Sequence, residues 1–246
     1  MKWVRVMKKN VARGFKPETI AKVIHIAKEV RNHYDSIPVD DIAMCISSGN
    51  RKIGKVMNVS LMPIMTCGNC KECKHFCYDI KACFQYPGTV IDARIRNTSI
   101  LFRNREEYFA RIEKKISHRK ANKFFRWHVA GDIIDSDYFD RMVSIAIAHP
   151  DFVFWTYTKM YVIVNDWIAS HGALPTNLHV MFSEWDGIEL DNPYNMPIFT
   201  CKMPGGNINH DDSFFNGLFK CPGNCDICKR DCRGCIAGES TYNDLH

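Results

Sequence analysis

From residue 123 onward the chain repeats one rhythm, an apolar run rich in aromatic and β-branched residues followed by an amphipathic stretch. KFFRWHVAGDI reads as a strand and SDYFDRMVSIAIAH as a helix. DFVFWTYTK and MYVIVNDWIASHG repeat the pair, LHVMFSEW gives a third strand and MPIFTCKMP a fourth. Strands alternating with helices across short connections predict a parallel α/β sheet. No other feature constrains the fold as much, because parallel neighbours need a crossover that a helix supplies. Ligands of such sheets sit beyond the carboxyl ends of the strands. Those ends are here Gly131-Asp132, Thr158-Lys159, Ser183-Glu184 and Cys201-Lys202.

Upstream, residues 17–33 place Ile20, Val23, Ile24, Ala27 and Val30 on one helical face, with Pro17 suited to the first turn. KVMNVSLMPIM (residues 55–65) predicts a strand, and NREEYFARIEKKISHRK a helix opened by a capping box between Asn104 and Glu107. The expectation is an α/β fold, a parallel, partial TIM-type β/α barrel over residues 1–203. Residues 204–246 read as a cysteine-rich tail without apolar periodicity, ordered by a metal.

Alternation within RWHVAGD puts Trp127 and Val129 on one side and Arg126, His128 and Ala130 on the other, with Asp132 following in the same parity. Arg126 and His128 then face a barrel interior. His128 and Asp132 are the candidate catalytic pair lining one cavity, whereas Arg126 serves equally well as a satisfied interior polar group.

The chain has 246 residues, 46% of them hydrophobic, enough for a sizeable core. Its 33 basic against 27 acidic residues give a net charge of +6, which permits contact with nucleic acid without requiring it. The basic start, MKWVRVMKKNVARGFKPETI, has no signal-peptide pattern, and no stretch approaches the ~18 apolar residues of a membrane span. A cytoplasmic protein with no membrane partner is expected. Thiols stay reduced there, so the 12 cysteines point to metal rather than disulfides.

Their distribution agrees. Cys67, Cys70, Cys73, Cys77 and Cys83 form one group, and Cys221, Cys225, Cys228, Cys232 and Cys235 another. Cys45 reads as a core thiol, and Cys201 as either a core thiol or a ligand. Thiolates at such spacing suit iron–sulfur clusters or zinc. Cys67–Cys77 has the C-x2-C-x2-C-x3-C spacing of ferredoxins, but Tyr78 stands where proline would follow. The tail leaves three residues between its two possible knuckles, awkward for one tetrahedral zinc.

SSGNRKIGKVMNVSLMPIMTC, Cys73-x3-Cys77-Tyr78, QYPGTVIDARIRN, RWHVAGDI and FWTYTK together resemble the gene product 88 family of phages and prophages. More distantly, the order of motifs resembles radical-S-adenosylmethionine-like barrels. That resemblance implies Cys67, Cys73 and Cys77 on a [4Fe–4S] cluster, with Cys70 and Cys83 as further candidates. It implies S-adenosylmethionine near Gly131 and Asp132, with Lys159 or Ser183 on its carboxylate or ribose. The tail cysteines would hold an auxiliary cluster, and a ferredoxin- or flavodoxin-type reductant would supply electrons. The radical-enzyme CxxxCxxC does not occur after the first strand. Two other expectations therefore stand beside this one: an electron-transfer or cluster-storage protein, and a zinc-braced nucleic-acid-binding protein using the basic run Lys114–Lys123. Arg94 and Asn97 read either as groups reaching a carboxylate or a cluster sulfur or as loop anchors, and Ser48-x-Asn50-x-Lys52 as a turn with a polar contact.

Overall fold

The computed structural model describes residues 14–49, 54–223 and 237–245. Asn50, Lys52, Cys225, Cys228, Cys232 and Cys235 lie outside them. In chain order the main elements are α1 (Pro17–Asp35), β1 (Ile46–Ser47), β2 (Met57–Val59), α2 (Tyr78–Gln85), α3 (Asp92–Arg103) and α4 (Arg105–Ser117). There follow β3 (Phe124–Arg126), α5 (Ser136–Ala148), β4 (Val153–Thr158), α6 (Tyr161–His171), β5 (Leu178–Ser183), β6 (Ile198–Lys202), β7 (Phe219–Lys220) and β8 (Thr241–Asp244).

The strands form one sheet in the order β1-β2-β3-β4-β5-β6-β8-β7. All neighbours run parallel except β1 and β2, which are antiparallel. The α/β expectation holds in this coarser form. The sheet is not closed: among the described residues β1 and β7 are its two edges, where a barrel would pair them. The segment read as a separate tail supplies β7 and β8 to this same sheet, β8 pairing with β6 through Phe199↔Thr241 to Lys202↔Asp244.

Local chemistry explains the helix ends. Pro17 opens α1 without losing a hydrogen bond. Asn104 caps α4 by accepting from Glu107 N at 3.0 Å, while the Glu107 carboxylate turns to Arg111, so only half of the capping box forms. Asp135 caps α5, accepting from Tyr138 N at 2.9 Å, and also takes both Arg105 guanidinium nitrogens.

Burial divides three ways. The main core lies between the sheet and α4, α5 and α6, built on Phe125, Trp127, Tyr138, Phe154, Val180 and Phe182. A second core joins α1, α2 and α3 through Val23, Ala27, Ile80, Cys83 and Ile95. Behind it, Asp79 and Arg94 form a bidentate pair at 3.0 and 3.3 Å that fixes α2 to α3. On the sheet's other face Val56, Trp155 and Met181 pack with Val129, Tyr157 and Phe199.

Candidate site at the strand carboxyl ends

Backbone geometry decides which side chains reach the strand ends. The predicted strand 123–133 stops at Arg126, because His128 adopts φ 51°, a left-handed conformation that breaks the period-two alternation. Trp127 therefore packs in the helix-side core, while Val129 joins the opposite face. His128 turns to the helix side as well, where its ring hydrogen-bonds Tyr138 Oη at 2.9 Å and Thr156 Oγ1 at 3.2 Å. Burial, with Arg126 nearby, holds its pKa down to about 3, so the imidazole is neutral. The expected parity of His128 is thus reversed: it does not share the Arg126 face. The connection still runs as an extension of the sheet, with Leu61 N donating to Ala130 O at 2.9 Å and Val129 N to Val59 O at 3.3 Å.

Gly131 follows with φ 88°, and a Cβ there would lie 2.8 Å from both Leu61 Cβ and Thr66 Oγ1. Glycine is required by conformation and by contact. This contact seats the start of the cysteine loop on the end of β3. Asp132, 7% exposed, accepts from Thr158 Oγ1 at 2.6 Å, Ile133 N at 2.7 Å and Lys159 N at 3.0 Å. It ties the β3 and β4 ends together, and burial raises its pKa against those hydrogen bonds.

Lys159 follows β4 and donates from Nζ to Ser183 Oγ at 3.0 Å, and Tyr161 Oη donates to the Ser183 carbonyl at 2.7 Å. On β6 the Cys201 thiol donates to Asn243 Oδ1 of β8 at 3.1 Å. Burial pushes Cys201 up to about 11, opposed by the Lys159 charge. The four predicted positions Gly131, Asp132, Lys159 and Ser183 therefore meet, and Cys201 stands beside Lys159.

The cysteine loop lies over them. A Cβ on Gly68 would meet the Met160 thioether at 2.8 Å, and the Phe76 ring packs on Trp185 at 5.7 Å between centroids. Within the loop the Cys70 thiol is hydrogen-bonded to Cys67 and Cys73, which drives its own pKa up. That hydrogen bond, aided by the Lys159 ammonium, draws Cys73 down to about 6. Cys77, at the start of α2, is pushed up to about 12 by burial. Cys83 is set apart: it is fully buried in the second core, with its sulfur 3.8 Å from Asp79. Cys221 follows β7, its backbone N–H on Tyr242 O at 2.7 Å. None of the described cysteines forms a disulfide. Among the described residues no three histidine, cysteine, aspartate or glutamate side chains are spaced to hold a single metal ion.

Arg94 and Asn97 anchor rather than project. Arg94 pairs with Asp79, and Asn97 bonds both backbone groups of Cys45 and the Ser60 carbonyl. The basic residues Lys114, Lys115 and His118 of α4 line, with Arg111, Met44 and Ile46, an open groove of about 500 Å³ between α4 and the β1 segment. Sequence reading placed Glu184 at a strand end without giving it a role, and missed Tyr161 and His210. Glu184, 4% exposed, follows Ser183 and is bonded to His210 Nε2 at 2.6 Å. A carboxylate at a strand's carboxyl end was the available signal; His210, in a turn-rich segment, offered none.

Fold and site together define an open, mostly parallel α/β protein that carries a thiol-rich loop across its strand ends. Residues 43–197, well over half of the chain, match the Gene product 88 family model, and the chain belongs to that family. No curated protein and no solved structure matches it. No helix of the described residues is long and apolar enough to cross a membrane.

Proposed function

We propose that this protein holds an iron–sulfur cluster on the Cys67–Cys77 loop and binds S-adenosylmethionine beneath it, at the carboxyl ends of β3 to β5. One observation carries the reading: Cys70 lies between Cys67 and Cys73, within hydrogen-bonding reach of each, on a loop whose Cys73 is within electrostatic reach of Lys159 and Asp132. Soft thiolate donors suit iron–sulfur clusters, and a neighbouring ammonium favours the ionised form that ligation needs. The donor set fits the group, with Cys77 as the adjacent further thiol. Ligation requires Cys70 to exchange its hydrogen bonds with Cys67 and Cys73 for metal. When bound, a cluster of this kind supplies one-electron chemistry.

The chain's own residues then have definable tasks. Lys159 and Ser183, already paired, present an ammonium and a hydroxyl to a ligand carboxylate or ribose. Asp132 accepts from three protein donors, Lys159 N among them, and so positions that residue. Gly131 lets the loop approach. His128, neutral and bonded within the core, holds the β3 extension in place. The finer expectations belong to the same proposal: a partial barrel, a second cluster on Cys221, Cys225, Cys228, Cys232 and Cys235, a ferredoxin- or flavodoxin-type reductant and a cytoplasmic setting.

The test is anaerobic purification followed by iron, sulfide and zinc per chain, with EPR of the reduced protein with and without S-adenosylmethionine. Iron and sulfide with a signal altered by S-adenosylmethionine are expected; Cys67→Ala/Cys70→Ala/Cys73→Ala is expected to lose that alteration and the loop's share of the iron, leaving at most what the tail cysteines hold. An unaltered signal would mean a fully ligated cluster for electron transfer or storage. Zinc without sulfide would overturn the reading and return attention to the basic groove and nucleic acid.

A further inference from the structure

Helix α4 carries its carboxyl-terminal basic groups on one stripe. Arg111, Lys114, Lys115 and His118 follow one another at helical spacing and share a face. Met44 and Ile46, half-buried and packed on the main core, form the opposite wall of the groove. Both walls are pinned. Arg111 donates to the carbonyls of Ile42 at 2.6 Å and Val39 at 3.2 Å, Arg119 donates to Lys55 O at 3.3 Å, and Asn97 holds both backbone groups of Cys45. The Arg111 Nε is taken by Glu107, so Arg111 shapes the groove while the other three line it.

The charge of this groove is not neutralised by its own helix. The α4 carboxylates are committed elsewhere: Glu106 to Arg141, Glu107 to Arg111, and Glu113 to His149 at 3.7 Å. Asp40 lies 3.7 Å from Arg111. Lys114 and Lys115, both exposed, have no carboxylate partner among the described residues. His118 Nδ1 donates to Lys114 O at 2.6 Å, which leaves Nε2 as its other polar atom. The helix dipole favours cations in the last turn whichever way they face; it does not account for three of them lining one groove. Nor is a lone phosphate the natural ligand, because the carboxyl end of α4 presents carbonyls rather than the N–H groups that cradle one. Lysine point charges along a stripe on the order of 10 Å long suit successive phosphates, which recur about every 3.4 Å along one strand of a duplex.

We propose that the groove between α4 and β1 binds the phosphodiester backbone of a nucleic acid strand. Lys114, Lys115 and His118 contact its phosphates, and Met44 and Ile46 meet its sugars or bases. Contacts of this kind position a strand without reading its sequence, and they weaken with salt. No residue of the groove belongs to the strand-end site, so the groove and the cluster stand or fall separately.

The experiment measures fluorescence anisotropy of a labelled oligothymidylate with the full chain, purified anaerobically, from about 50 to about 200 mM salt. Saturable binding that falls steeply with salt is expected. Poly-glutamate of equal charge and phosphatidylglycerol vesicles are expected to compete poorly. Lys114→Gln/Lys115→Gln is expected to weaken binding about tenfold or more and to flatten the slope of log K against log salt by about 1.4. Its iron content should be that of the wild type. Lys22→Gln/Lys28→Gln, which removes the same charge from the exposed face of α1, is expected to bind as the wild type does. Three results would overturn the proposal: a wild type that does not bind at the lower salt, a groove variant that binds normally, or an α1 variant weakened as much. Poly-glutamate or vesicles displacing the strand at equal charge would also overturn it, and would assign the groove to an acidic peptide or a lipid surface. So would iron lost together with strand binding in Lys114→Gln/Lys115→Gln, since the lysines would then be structural.

Discussion

Two loops cover the strand carboxyl ends, and they are held in opposite ways. The 203–214 loop is tied by side chains: Asp186 and Asn207 as above, Asn209 to Gly187 N at 3.1 Å and Ile188 O at 3.2 Å, and His210 to Glu184. The cysteine loop is tied mainly at its ends. Thr66 Oγ1 donates to Met62 O at 2.9 Å, and His75 meets Phe15 through its carbonyl at 2.5 Å and its Nδ1 at 3.0 Å. Between those ties the thiols bond chiefly to one another. One loop is held along its length by its own polar side chains; the other is held at its ends. In the first, asparagine and aspartate side chains satisfy the backbone of a turn-rich, aperiodic segment.

The contrast can be broken at several points. The largest expected effect is on metal content. Cys67→Ala/Cys70→Ala/Cys73→Ala should remove the loop's share of the iron in anaerobic preparations, leaving at most what the tail cysteines hold, whereas Cys83→Ala should keep wild-type iron and lose about 2 kcal/mol of stability from a core void. Wild-type iron content in the triple variant would place the cluster elsewhere. Next comes Gly131→Ala, which adds a Cβ in a left-handed backbone against Leu61 and Thr66. A loss of about 3 kcal/mol in urea denaturation is expected, and a wild-type midpoint would show that the cysteine loop does not rest on β3.

His128 gives a pH signature that neither loop should share. Its folded pKa, about 3, is below the ordinary 6.5. The unfolded chain thus binds the extra proton between those values, and stability falls as pH drops through the window, at most by about 1.4 kcal/mol per pH unit. Asp132, raised by burial, acts oppositely where its own proton is taken up. Subtracting the His128→Gln curve from wild type isolates the histidine; identical slopes would mean that the ring is solvated. The smallest effect is Asn207→Ala, expected to cost about 1 kcal/mol and leave metal content unchanged. If it releases metal instead, the two loops are coupled.

Legibility followed the reach of the determining interactions. Helix α6, expected at 160–172, spans Tyr161–His171, and the fourth strand, expected at 196–204, spans Ile198–Lys202, because hydrophobic periodicity and end signals are local. Helices α2 and α3 went unread: one follows directly from the thiol loop, and the other buries Asn97, Thr98 and Ser99, polar residues that blur an apolar face. Gly131, Asp132, Lys159 and Ser183 were legible as site positions because each stands at a strand terminus. His128 was misplaced because a single left-handed residue reverses the alternation on which side-chain direction depends.

By itself the sequence determined the α/β class, the parallel run of strands, the strand-end polar residues and the family. Those depend on periodicity, spacing and residue type, properties of contiguous chain. Tertiary structure alone decided that the sheet stays open among the described residues, that β7 and β8 join it, that Cys83 is core, and that Glu184 meets His210. Each of these is a contact between segments far apart in the chain, and no local pattern encodes which distant backbone will satisfy a given edge, thiol or carboxylate.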